Sequence, residues 1–408
     1  MSGGPAFPGG GPLGDLLRDL ARLLTAQGPI NWEVAQQLAA WTATGGEVEP
    51  NPDPLARIRT EELMRVADMH VAETVGMPTS RRGWLGLRCV TRAEWASATL
   101  TSWREVFSTL ATALNWSISG GEAGAPGGPR PAPEGGEVTP PPGGSSPMDQ
   151  LLGNLPQVIG PLLLGAQAGT MVGNLANRAS GQYDMPVPAP ATDELMVVPT
   201  VIDGFAAEWG LAPDHVRMYI CLRDVAHHAV LIRPHVDAAL RAHLLAYAGA
   251  FRASMDALEE HLSGLDPTDP MSFQQSLGDP ETFLGDIQTD EQRRMLVPFR
   301  AFLSALSGYT DFVLDKVGRR LVGSFPLINE AFHRRRLEEG PGQRVLAKLF
   351  GLELDQGVVE KGHAFVAGVL ERAGEQALAR LWEGPVTLPT PAEVDAPGLW
   401  LARIELMG

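Results

Sequence analysis

The stretch that most constrains this chain runs from His215 to His235, HVRMYICLRDVAHHAVLIRPH. Inward-tending residues recur at Val216, Tyr219, Ile220, Arg223, His227, Val230 and Leu231. That is the i, i+3, i+4, i+7 spacing of a buried helical stripe, and it predicts one long helix. Arg223 and His227 lie four apart in it, so both side chains point the same way, one turn apart. A chain that folds around this helix must either pair or coordinate the polar groups the stripe carries inward.

The rest of the chain reads as more helix, interrupted by proline and glycine. Residues 1–14 are mostly Gly and Pro and read as a disordered tail. Leu16 to Leu24 is an amphipathic pattern stopped at Gly28-Pro29. Asn31 caps a helix over Trp32 to Trp41, and Asn51 to Pro54 opens another towards Met77. Leu85 to Val90 reads as a short extended link, and Thr91 with Glu94 is a capping box opening a helix to about Trp116. Residues 119–147 are Gly, Pro and Ser without periodicity, a flexible linker that sets an N-terminal helical region, 15–118, apart from a domain over 148–392. Residues 393–408 read as a C-terminal tail.

Gln150 to Asn177 carries no charge and holds Gly165, Gly169 and Gly173 in register. Asn154, Pro156, Gln157, Pro161, Gln167 and Asn174 argue against a membrane span and for a helix packed closely on a neighbour. Beyond it, Leu195 to Pro199 predicts a strand, 200–213 a small helix and Pro234 to His261 a helix. Gln275 to Gln288 reads as an acidic loop and Gln292 to Arg320 as a second long inward helix. The fold class is mainly α, with few strands.

Charge narrows the function. The chain has 48 acids against 32 bases, a formal charge of −16. Non-specific nucleic-acid or anionic-membrane binding needs a basic face and is not expected. With two cysteines, Cys89 and Cys221, no disulfide framework forms, and Met1 to Pro5 lacks the basic and apolar regions of a secretion signal, so the expectation is a cytoplasmic protein.

In zinc hydrolases of the H-E-x-x-H type, two histidines four apart grip the metal, with a glutamate beside the first as general base. The five residues here are Arg223, Asp224, Val225, Ala226 and His227. The chain resembles the bacterial zincin-like metallopeptidase family, mostly helical cytoplasmic hydrolases, some associated with deazaflavin-cofactor biosynthesis. The resemblance is carried by Gly28 to Trp32, Thr91 to Trp95, Gly181-Gln182-Tyr183-Asp184, the central helix, Ser307-Gly308-Tyr309, Leu381-Trp382 and Leu388-Pro389-Thr390. It implies a zinc site of two histidines on the central helix and a glutamate from the later one. Carried onto this chain, the ligand positions are Arg223, His227 and Ser307, and the general-base position is Asp224.

Arginine has no lone pair to give, and serine removes an anionic oxygen. Aspartate is a methylene shorter than glutamate, which misplaces a base. The expectation is therefore a pseudoenzyme with no cofactor, acting through an unknown protein or peptide partner. The alternative is an active zinc hydrolase with an unconventional ligand set. A shifted site of Asp224, His228 and Asp311 can be drawn if the helix turns by about 100°, one residue's rotation. Arg223, if buried, needs a carboxylate partner, and Asp311, one turn beyond Ser307, is the expected one, with a neutral His227 beside it. Arg334-Arg335-Arg336 reads as a surface charge cluster.

Overall fold

A computed structural model describes residues 28–118, 147–185, 189, 192–251, 289–338, 340–352 and 355–407. The expected tail over 1–14, the pattern at Leu16 to Leu24, nearly all of the linker and the loop over 275–288 lie outside them.

The first helices end as their sequences dictate. Asn31 accepts from the Val34 amide to start α1 (Trp32–Thr44), and Gly45 at φ 66° stops it. Asp53 caps α2 (Pro54–Val75), which stops at Gly76 in the same left-handed conformation. The extended link is strand β1 (Gly86–Cys89), and the predicted strand near Leu195 is β2 (Glu194–Val197). The two pair in parallel, Leu87 opposite Leu195. The Thr91–Glu94 capping box opens α3 (Arg92–Ser102), as expected, but Trp103 breaks the run and α4 (Arg104–Ile118) follows.

Helix α5 (Pro147–Ala176) carries the three glycines, and they do bring a neighbour close. A Cβ on Gly165 would lie 2.3 Å from the Asn31 carbonyl oxygen, and one on Gly169 2.4 Å from that of Ala35. The uncharged segment is thus an interior helix laid against α1. No helix among the described residues is long and apolar enough to cross a membrane.

After α6 (Pro199–Glu208) comes the central helix α7 (Pro213–Leu231). It is shorter than predicted: Arg233 is extended and Pro234 starts α8 (Pro234–Gly249), placing His235 on a separate element. Proline cannot donate the helical N–H and disfavours a helical residue before it. Every residue of α7 from Val216 to Leu231 is buried, so the helix is enclosed on all sides rather than along one stripe.

The second long helix, α9 (Asp290–Leu321), opens on a Thr289–Gln292 capping box. Helices α10 (Phe325–Leu337) and α11 (Pro341–Phe350) follow, then α12 (Gln356–Ala379), which breaks at Gly374 with φ 73°. After two short 3-10 turns, α13 (Pro391–Asp395) and α14 (Pro397–Met407) close the chain. Residues 393–407 of the expected C-terminal tail therefore lie mostly in helices: Trp400 is fully buried against Phe365, and Arg403 binds Glu393. One hydrophobic core runs from Ile30 to Ile404, with α2 packed on α7 and α12 on α9. Both sides of the Gly/Pro-rich stretch share it.

Candidate functional site

Besides Arg217, which pairs with Asp203 and Asp214, helix α7 holds four polar side chains in the interior. Arg223 and His227 face a pocket of about 190 Å³, while Asp224 and His228 turn to the other side, towards residues 180–193. Ser307 of α9 lines the same pocket as Arg223 and His227. The three expected ligand positions thus meet around one space.

Arg223 is 6% exposed. Its Nη1 lies 2.5 Å from Asp184 Oδ1, and its Nη2 donates to Asp224 Oδ1 at 3.0 Å. The guanidinium also lies 5.6 Å from the centre of the Phe332 ring. The expected pairing with Asp311 is not what forms. The segment Gly181 to Asp184 folds back over α7 and brings its own carboxylate, while Asp311 is taken by Arg336 and His363. Arg336 Nη1 donates to Asp311 Oδ2 at 3.3 Å, and His363 Nε2 lies 3.0 Å from the same oxygen. Burial would raise both carboxyls. Arg223 holds Asp184 below the usual range, and Arg336 with His363 does so for Asp311.

Asp224, at the expected general-base position, is fully enclosed. Its Oδ2 accepts from the Gln182 amide at 2.6 Å and its Oδ1 from Arg223. Gly181 is required there, since a Cβ at that position would lie 2.1 Å from Asp224 Oδ2. Burial pushes the Asp224 carboxyl up to about 6, against the pull of Arg223.

His227 Nδ1 lies 2.9 Å from the Arg223 carbonyl, which can only accept, so this nitrogen carries the proton and Nε2 the lone pair. Nε2 lies 3.4 Å from Thr310 Oγ1. The ring stacks on Tyr183, with centroids 6.1 Å apart. Burial lowers the His227 pKa to about 4, with the Arg223 charge a smaller cause, so the imidazole is neutral. Ser307 Oγ is 3.5 Å from Asp311 Oδ2.

The shifted site does not assemble. His228 Nδ1 accepts from the Tyr183 hydroxyl at 2.8 Å and its Nε2 faces Asp193 at 3.4 Å, while Asp193 Oδ2 accepts the amides of Arg81 and Arg82. Asp224, His228 and Asp311 thus serve three separate networks. Among the described residues, no group of three or more His, Cys, Asp or Glu is placed to hold a metal ion.

Sequence reasoning missed Asp184, Asp193 and three arginines at the pocket, Arg178, Arg335 and Arg336. The Arg334 to Arg336 cluster divides by helix face: Arg334 pairs with Glu330 in solvent, whereas Arg335 and Arg336 line the pocket beside Phe332. The available signal was spacing, because Phe332, Arg335 and Arg336 fall at i, i+3, i+4.

No protein with a curated description matches the chain in sequence. Among solved structures, a crystal structure described as that of a putative hydrolase with a novel fold from Chloroflexus aurantiacus superposes with a TM-score of 0.61 at 22% identity. The match covers 92% of this chain and 99% of that one. At that identity the likeness speaks to fold alone. The zincin-like metallopeptidase family matches residues 30–401, which take in the central helix, the Gly181 to Asp184 segment and Ser307 together. By that match over most of its length, the chain belongs to the zincin-like metallopeptidase family.

Proposed function

We propose that this protein is a zincin-like scaffold that has given up catalytic zinc and uses the cleft to bind rather than to hydrolyse. The observation that carries the reading is the Arg223 guanidinium. It occupies a family ligand position as a fixed cation, tied to Asp184 and Asp224. A guanidinium offers no lone pair to a metal, and its charge repels one. Ser307 presents a neutral hydroxyl, which leaves His227 Nε2 as the one good donor of the three, where catalytic zinc ordinarily keeps three protein ligands. The residues present therefore do not fit zinc, and no hydrolytic step is assigned to them. Asp224 supports the same reading, since it does not line the pocket and its oxygens are engaged by the Gln182 amide and by Arg223, so it is not placed to deprotonate a water there. Free Cys89 and Cys221 suit a reducing compartment, and we place the protein in the cytoplasm.

Restoration tests the proposal. The triple change Arg223→His, Asp224→Glu, Ser307→Glu should bind zinc in the micromolar range or tighter by calorimetry, the dication replacing the guanidinium charge beside Asp184. The wild-type chain should show no such binding. Tight zinc binding by the wild type, lost in His227→Ala, would instead favour an active hydrolase with an unconventional ligand set.

A further inference from the structure

Arginine gathers at the pocket beside Arg223 in an otherwise acidic protein. Arg178, Arg223, Arg335 and Arg336 line it, with the carboxylates of Asp184 and Asp355. Arg223 is neutralised by Asp184 and Asp224, and Arg336 shares Asp311 with His363. Among the described residues, the one carboxylate paired with Arg178 is the solvent-exposed Glu338 at 4.0 Å. Arg335 has no carboxylate within 4 Å among the described residues. Its Nη2 donates to the Arg178 carbonyl at 2.6 Å, Arg178 Nη2 donates back to the Arg335 carbonyl at 2.8 Å, and its guanidinium lies 4.8 Å from the centre of the Phe205 ring. This reciprocal bonding ties each of the two like-charged side chains to the other residue's backbone. Burial and its neighbours Arg178 and Arg223 all work against the Arg335 charge, with Asp184 opposing them. A bound anion would relieve that repulsion. Trp95, Leu175, Tyr219, Leu306 and Phe332 give the wall an apolar part, beside polar Asn174, Gln343 and Gln356.

We propose that the pocket takes a small anion, a carboxylate or phosphate headgroup on an apolar body, with Arg335 holding the headgroup and Arg336 assisting. The proposal rests on the reading that the cleft binds rather than hydrolyses, and it names the ligand class. A planar guanidinium fork with free N–H groups matches either oxyanion, and the apolar part of the wall covers the body of the ligand.

Calorimetry on the full-length chain, pre-treated with chelator, tests this with N-acetylphenylalanine, phenyl phosphate and the neutral N-acetylphenylalaninamide. At least one anion should bind at a single site, weaken with added salt and bind about tenfold or more tighter than the amide. The tighter of the two anions identifies the headgroup. Arg335→Gln should weaken anion binding by about tenfold, and Arg335→Lys should recover part of it. The proposal fails if neither anion binds, if the amide binds as well as the anions, or if folded Arg335→Gln binds unchanged. Should Arg335→Gln not fold, the amide comparison and salt dependence of the wild type decide alone. Zinc measured on the same preparation before chelator treatment separates the two readings: zinc-free protein that ignores both anions overturns only this proposal, while one equivalent of zinc overturns the reading beneath it.

Discussion

Arg223 and Asp184 are 39 positions apart in sequence and close an ion pair over the central helix. Removing one partner of a buried pair strands the other, at a cost of about 3–5 kcal/mol. Asp184→Asn should therefore lower unfolding free energy towards the low end of that range, since Asp224 remains on Arg223. Arg223→Met should cost as much or more, leaving two carboxylates unpaired. The double variant should cost less than the two single changes summed, by about 1–3 kcal/mol, when followed by urea unfolding. The same cycle between Arg223 and Asp311 should show coupling near zero; strong coupling there would mean that the guanidinium reaches the other helix. The pH dependence belongs to this scale too. His227 and His228 are both lowered to about 4 by burial, so the stability they contribute is present above their unfolded value and is lost as pH falls towards 4. Asp224, raised to about 6, acts oppositely, its contribution being present at low pH and lost as pH rises through 6. Burial lowers His235 and His243 in the same direction, so the histidines together oppose Asp224. The urea midpoint should fall between pH 7 and pH 4.5, and His228→Gln should flatten the slope. A midpoint that rises on acidification would contradict this balance.

At the level of elements, close helix contacts depend on glycine at few positions. A Cβ on Gly308 would lie 2.2 Å from the Gly362 carbonyl oxygen, and one on Gly362 the same distance from that of Ser304, so α9 and α12 approach backbone to backbone just beside Ser307. Gly308→Ala should destabilise by about 1–3 kcal/mol because backbone, not a side chain, must shift. Gly204→Ala in α6, where nothing lies within 4 Å, should instead stabilise by about 0.5–1 kcal/mol. Thermal unfolding of the two variants side by side checks the contrast, and equal shifts would refute the packing argument. The glycine spacing on α5 was legible in the sequence as a close contact, as were the caps at Asn31 and Thr91, because these signals are local. That β1 and β2 pair was not legible: two four-residue strands separated by over a hundred residues carry no mark of each other. The start of a helix at Pro234 was legible too, but the apolar pattern running up to His235 hid the end of α7 at Leu231.

Across the whole molecule, the mainly helical fold and the meeting of Arg223, His227 and Ser307 were legible from periodicity and family resemblance. What escaped was which charges pair. Asp184 sits in a connector whose sequence gives no direction, and Arg335 and Arg336 read as surface because three consecutive arginines usually are. Pairing over such distances is decided by how α10 and the Gly181 to Asp184 segment fold onto α7, a tertiary outcome no window of sequence contains. The N-terminal helices read as a separate region for the same reason, their partners α5 and α7 lying beyond the Gly/Pro-rich stretch. The central claim is that a fixed ion pair stands where the family holds its metal. Its most direct test is the zinc content of the purified full-length protein, measured by plasma mass spectrometry without added metal or chelator. The account predicts zinc far below one equivalent; one equivalent of zinc, lost on His227→Ala in a protein that still folds, would contradict it.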